Sequence, residues 1–148
     1  MWGFFYREYI MIILENEAKE TIIKEAVSAY PKECFGFVFG YDDENGRRII
    51  THAAVMKNGD QKTRFTVTPQ DYTQAEKYAE ECQLQLMGVY RSHPDHPAIP
   101  SQQDRMVAQP FFSYLIISVN AKEAGAIRSW RLNDDGSFEE ENYHLLAL

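Results

Sequence analysis

Hydrophobic and polar positions alternate along this chain in blocks whose periods predict its elements. In "NEAKETIIKEAVSAY", Asn16 to Tyr30, the apolar positions Ala18, Ile22, Ala26 and Tyr30 lie four apart, the spacing of one helical face, and Pro31 ends the segment. The run "CFGFVFGY" is apolar throughout and of strand length. The turn-rich "DDENG" follows it, and "RRIITHAAVM" returns, so a hairpin is expected. "TRFTV" reads as a short alternating strand. "TPQDYTQAEKYAEECQLQ" then offers Thr68 as a cap, Pro69 at the first helical position and Asp71 at the third. Its Tyr72, Ala75, Ala79, Cys82 and Leu86 step by 3 and 4, which predicts a second helix. "LMGVY" reads as a buried strand that runs into a proline-rich loop. A helix is expected from Ser101, and "FSYLIISVNA" and "AIRSWRLND" read as the last core strands. "NDDG" turns the chain into "SFEEENYHLL". With no repeat, low-complexity tract or linker, the pattern describes one α/β domain around a central, mostly antiparallel sheet.

Composition narrows the field of functions. A chain of 148 residues suits one domain, and 45% hydrophobic with 25% charged residues is a globular balance that excludes disorder. A net charge of -7, with no basic stripe to offset it, excludes nucleic-acid binding as the main task. Two cysteines, Cys34 and Cys82, far apart and in apolar surroundings, form neither a disulfide framework nor a metal knuckle. A reducing cytoplasm is therefore the expected location. The opening "MWGFFYREYIMIIL" is apolar, but Arg7 and Glu8 interrupt it and no small-residue cleavage site follows. No run is long enough to span a bilayer, so no membrane role is expected. Met11 is an equally good first residue. Residues 1–10 are accordingly read as an extension and 11–148 as the domain.

The candidate chemistry sits in "YRSHPDHPAIPSQQD", Tyr90 to Asp104. Amide hydrolysis at neutral pH needs a metal to polarise the carbonyl and acidify water, a base, and a donor for the oxyanion. A catalytic zinc takes three protein ligands and keeps a position open for water. Residues two apart on a strand face the same side, so positions 91 and 93 are placed to grip one ion, with Asp104 as a third ligand. Ser101, three residues before Asp104, shares its helical face and offers a hydroxyl.

At these residues the chain resembles the JAMM (MPN-plus) metalloproteases. Their motif is a distant Glu, then His-x-His-Pro, seven residues, and Ser-x-x-Asp. "SHPDHPAIPSQQD" matches it from His93 to Asp104, and Glu33 in "YPKECFGFVFG" matches the distant glutamate. "TRFTVTPQDY", "YLIISV" and "RSWRL" are also similar to the family. The resemblance implies a single JAMM (cytidine-deaminase-like) domain with His93 and Asp104 as zinc ligands, Glu33 as general base and Ser101 as oxyanion donor. It also implies an isopeptidase or peptidase that removes adducts from the Gly-Gly tail of a small ubiquitin-like or sulfur-carrier protein.

The first ligand position departs from the pattern. Arg91 stands there, and a guanidinium has no lone pair to offer and stays charged at any working pH. His96 is the nearest substitute ligand, but the family carries a His-Pro there beside both normal histidines. Either the domain has given up catalysis, with Arg91 paired to Asp104 or Glu33 where zinc would sit, or a single change has struck an otherwise intact site. The first outcome leaves an MPN-type module that binds a ubiquitin-like or other protein partner.

Each residue also has an ordinary explanation. Ser101 and Asp104 form a legitimate helix-capping pair, and an isolated His93 or Glu33 would carry no functional signal. Cys34 adjoins Glu33, but its apolar flanks describe a core thiol and not a nucleophile. A nucleobase deaminase would need a downstream Pro-Cys-x-x-Cys, which the sequence lacks. His52 and His144 show no ligand spacing, and "DDGSFEEEN" reads as a solvated turn.

Overall fold

The computed structural model describes residues 11–56, 67–106, 108–121, 123–141 and 143–146. Its elements, in chain order, are β1 (Met11–Glu15), α1 (Asn16–Ala29), β2 (Phe35–Asp42), β3 (Arg47–Val55), α2 (Pro69–Glu81), β4 (Gln85–Pro94), α3 (Gln102–Met106), β5 (Ser113–Asn120), β6 (Glu123–Leu132), β7 (Phe138–Glu140) and β8 (Tyr143–Leu146). The strands form one sheet in the order β7-β6-β5-β4-β2-β3-β1-β8. Four of the seven pairings are antiparallel and three, β1 with β3, β1 with β8 and β4 with β5, are parallel. The mostly antiparallel α/β architecture read from the sequence is thus the observed one.

The two long helices cover opposite faces of the sheet because β2 sorts its side chains by period. Phe35, Phe37 and Phe39 join Ala75 and Ala79 of α2, while Val38 joins Ala18, Ile22 and Ala26 of α1 in the second core. The stripe predicted for α1 is the buried one, with Ala18 and Ile22 fully enclosed. Helix α2 starts as its sequence dictates: Thr68 accepts from the Asp71 amide, and the Asp71 carboxylate accepts from the Thr68 amide.

Two details depart from the pattern reading. Cys82 is exposed at the end of α2, outside the buried stripe, because the helix stops there before another apolar turn forms. Met11–Glu15, which the pattern left unassigned, forms an inner strand between β3 and β8 with Ile12 and Leu14 fully buried. Its alternation is only five residues long, too short to read without its neighbours. The expected strand Thr63–Val67 lies, except for Val67, outside the described residues, as do residues 1–10. Among the described residues no helix is long and apolar enough to cross a membrane.

Candidate functional site

The site forms where the end of β4 meets the beginning of β2. These strands are antiparallel, with Phe35 opposite Arg91, so the topology brings the segment before β2 alongside the loop after β4. Two bonds fix that junction: the Cys34 amide donates to Ser92 Oγ at 2.7 Å, and the Ser92 amide donates to the Cys34 carbonyl at 3.0 Å. Glu33, the residue before Cys34, thereby lines one groove with Arg91 and His93, although 58 positions separate Cys34 from Ser92 in the chain. Ser92 points to the α1 face with Cys34, so Arg91 and His93 share the opposite face by alternation.

The following loop returns to deliver Asp104. The Asp95 amide donates to the Val119 carbonyl at 2.7 Å, and Trp130 Nε1 donates to the Ala98 carbonyl at 3.1 Å. Ser101 then caps α3. Its amide donates to Asp104 Oδ2 at 2.7 Å, its hydroxyl donates to the same oxygen at 3.0 Å, and the Asp104 amide donates back to Ser101 Oγ at 3.2 Å. The capping explanation of this pair is realised in the structure, and the Ser101 hydroxyl is occupied by it.

Arg91, His93 and Asp104 form a buried ionic cluster. Arg91 Nη1 lies 3.2 Å from Asp104 Oδ1, and His93 Nε2 lies 3.2 Å from Asp104 Oδ2. All three residues are at most 7% exposed. The guanidinium also stacks 5.2 Å above the Phe35 ring, a contact no motif would reveal but the alternation of β2 implies. His93 Nδ1 lies 3.1 Å from the Pro97 carbonyl, which fixes that nitrogen as the donor.

The charges of the cluster support one another. Burial by itself would pull the His93 imidazole down. The hydrogen bonds to Asp104 and the Pro97 carbonyl, with the charges of Asp104 and Glu33, reverse that and hold it above its ordinary value. Burial likewise would raise Asp104, but His93, the Ser101 amide and Arg91 hold its carboxyl below the ordinary range. Cys34 is pushed up, chiefly by burial, which fits a core thiol.

Outside the cluster lies a groove of about 410 Å³ lined by Glu33, Arg91, His93, His96, Pro97, Ile99 and Ser101. A smaller inner space, not fully enclosed, is bordered by Arg91, Asp104, Phe35, Tyr72 and Tyr114. Arg91 borders both spaces and Asp104 only the inner one. The structure thus gathers Glu33, Arg91, His93 and Ser101 around one groove, with Asp104 behind Arg91.

The donor set does not fit a catalytic zinc. His93 and Asp104 supply two ligands, but Asp104 already engages Arg91, His93 and Ser101, and the third position carries a fixed cation. Among the described residues no group of three or more His, Cys, Asp or Glu side chains is arranged to hold a metal ion. His96 does not complete such a group.

Comparison with known proteins places the domain. The family model for prokaryotic homologs of the JAB domain matches residues 15–133. The chain belongs to that family. Among curated proteins, this JAB-domain chain is 25% identical over 129 residues to the desampylase of Pyrococcus furiosus, covering 87% of the chain and 86% of that protein. A protein of Desulfitobacterium hafniense solved in solution is 29% identical with a TM-score of 0.78, over 93% of this chain and 94% of that one. A Salinibacter ruber protein is 33% identical with a TM-score of 0.65, over 84% of each chain. A JAB1/MPN domain protein from Archaeoglobus fulgidus, 15% identical with a TM-score of 0.57 over 88% of this chain and 96% of that one, shares the fold.

Proposed function

We propose that this JAB-family chain serves a small ubiquitin-like or sulfur-carrier protein, whose extended Gly-Gly tail enters the groove between Glu33 and Ser101, and that Arg91 makes the groove a binding site in place of a zinc hydrolase. The observation that carries this reading is the buried Arg91–Asp104 ion pair at 3.2 Å, which puts a guanidinium where the family's motif puts a ligand. Support for the partner comes from family membership and from the similarity to a desampylase. Titration calorimetry with a ubiquitin-fold sulfur carrier should give binding that is lost when the carrier's last two glycines are removed. Equal binding of the truncated carrier would refute the placement of the tail. Metal analysis after incubation with zinc should give well under one ion per chain, and stoichiometric zinc would overturn the non-hydrolytic assignment.

His93 favours a second reading. Its Nδ1 is committed to the Pro97 carbonyl, so Nε2 carries the lone pair whenever the ring is neutral, the tautomer a metal ligand needs. Glu33, Ser101 and Asp104 also keep the JAMM spacing. On this reading the chain is a zinc-dependent isopeptidase impaired by Arg91 alone. Arg91→His should then bind one zinc and cleave a carrier adduct, and Glu33→Gln in that background should keep the zinc and lose turnover, because Glu33 is the base. A metal-free Arg91→His protein would remove this reading.

A further inference from the structure

The feature that spoils the site for zinc gives it another ligand chemistry. We propose that the groove is a receptor for a free C-terminal carboxylate, with Arg91 as its anchor: the chain recognises the unconjugated tail of its partner and discriminates against a tail whose last carbonyl is tied up in an adduct. The inference rests on the reading above that a glycine-ended tail enters this groove.

Three observations carry it. First, Arg91 is 7% exposed, yet its guanidinium makes, among the described residues, one ion pair through Nη1 and one ring contact, and no hydrogen bond. A guanidinium has five N–H donors arranged in a fork that matches a carboxylate, so among the described residues most of that capacity has no partner. Second, Asp104 leaves Arg91 under-neutralised. Its charge is shared with the Ser101 amide, the Ser101 hydroxyl and His93, and it meets Arg91 through a single nitrogen. Third, Arg91 borders the groove while Asp104 borders only the space behind it. An anion entering the groove meets Arg91 without Asp104 on the same wall.

The remaining wall selects a peptide terminus over a small inorganic anion. Glu33 lines the same groove and presents an acceptor, which suits an amide N–H of a peptide and opposes a multiply charged anion more than a singly charged one. Ile99, 46% exposed, offers apolar contact beside it. One negative charge followed by amide donors fits this wall, whereas a multiply charged phosphate does not. The chemistry also distinguishes guanidinium from zinc. A metal ion polarises the single carbonyl oxygen of an amide, while a guanidinium pairs two equivalent oxygens, which only the free acid offers.

The test compares a synthetic peptide ending in Gly-Gly with a free carboxylate, the same peptide amidated, and inorganic phosphate, each titrated into the full chain. The free acid should bind at least about tenfold tighter than the amide, the scale of a charge-assisted bidentate pair. Phosphate should compete weakly. Arg91→Gln should bring acid and amide to equal affinity, and Arg91→Lys, which keeps the charge and loses the fork, should retain only part of the preference. Equal binding of acid and amide by the parent chain would overturn the carboxylate inference and leave the tail-binding function standing. Binding of neither peptide would overturn both. Phosphate binding tighter than the acid would also refute it, by showing a general anion site. The parent comparison needs no variant, so a misfolded Arg91→Gln protein does not rescue the idea.

Discussion

Position 91 shows how one buried charge organises its neighbours. On the proposed reading a guanidinium takes the place of the family motif's imidazole, and the neighbours respond as they would to any cation. Asp104 pairs with it and Phe35 lies under it. Removing that charge should therefore be costly. Arg91→Gln should lower the unfolding free energy in urea titration by about 3 kcal/mol, the low end for breaking a buried pair, because His93 and Ser101 still satisfy Asp104. The pairing also gives stability a pH signature. His93 is raised above its ordinary 6.5 in the fold, so its contribution is fully present below that pH and disappears as pH rises through the raised value. Asp104 is lowered below its ordinary 3.8, so its contribution is present above that pH and disappears as pH falls through the lowered value. Thermal melts across pH should show the parent's advantage over His93→Gln shrinking on the alkaline side.

At the scale of elements, the site depends on how segments begin and end. Helix α3 is only five residues long, too short to be stable alone, and the Ser101–Asp104 capping pair is what orients Asp104 toward β4. The same two residues that the family motif reserves for chemistry are thus also structural here. Helix α2 is an independent control on this logic. Its Thr68–Asp71 box has the same reciprocal bonds but, among the described residues, no hydrogen bond or ion pair to Arg91, His93 or Asp104. Thr68→Ala should cost about 1 kcal/mol in chemical denaturation and leave tail binding unchanged. A change in binding would mean that α2 is coupled to the groove.

At the scale of the whole molecule, stability resides in two apolar layers on either side of an eight-stranded sheet, and the cluster occupies one end of the central strand β4. The internal guanidinium supplies the positive charge there, so folding should not depend on added metal. The unfolding midpoint of the parent chain should be the same with chelator and with excess zinc. In Arg91→His, zinc should raise the midpoint if the remaining ligands form a site, because a ligand that binds only the native state stabilises it by mass action. Such a shift in the parent would contradict the geometry of the cluster.

The sequence by itself determined the α/β class, both long helices, the capping box of α2 and the motif spacing from His93 to Asp104. These follow from periodicity and from local bonds between near neighbours, which the chain carries wherever it folds. It also determined that Arg91 cannot ligate a metal, since that is a property of the side chain alone. Three things were decided only by tertiary structure. The strand Met11–Glu15 is recognisable once β3 and β8 flank it, because five residues carry too short a pattern. Cys82 lies in sequence register with a buried stripe, yet the end of α2 leaves it exposed. The partner of Arg91 was left open between Glu33 and Asp104 because both lie within reach in principle. Burial settled it: the carboxylate drawn behind the guanidinium into the inner space is Asp104, while Glu33 stays on the groove wall.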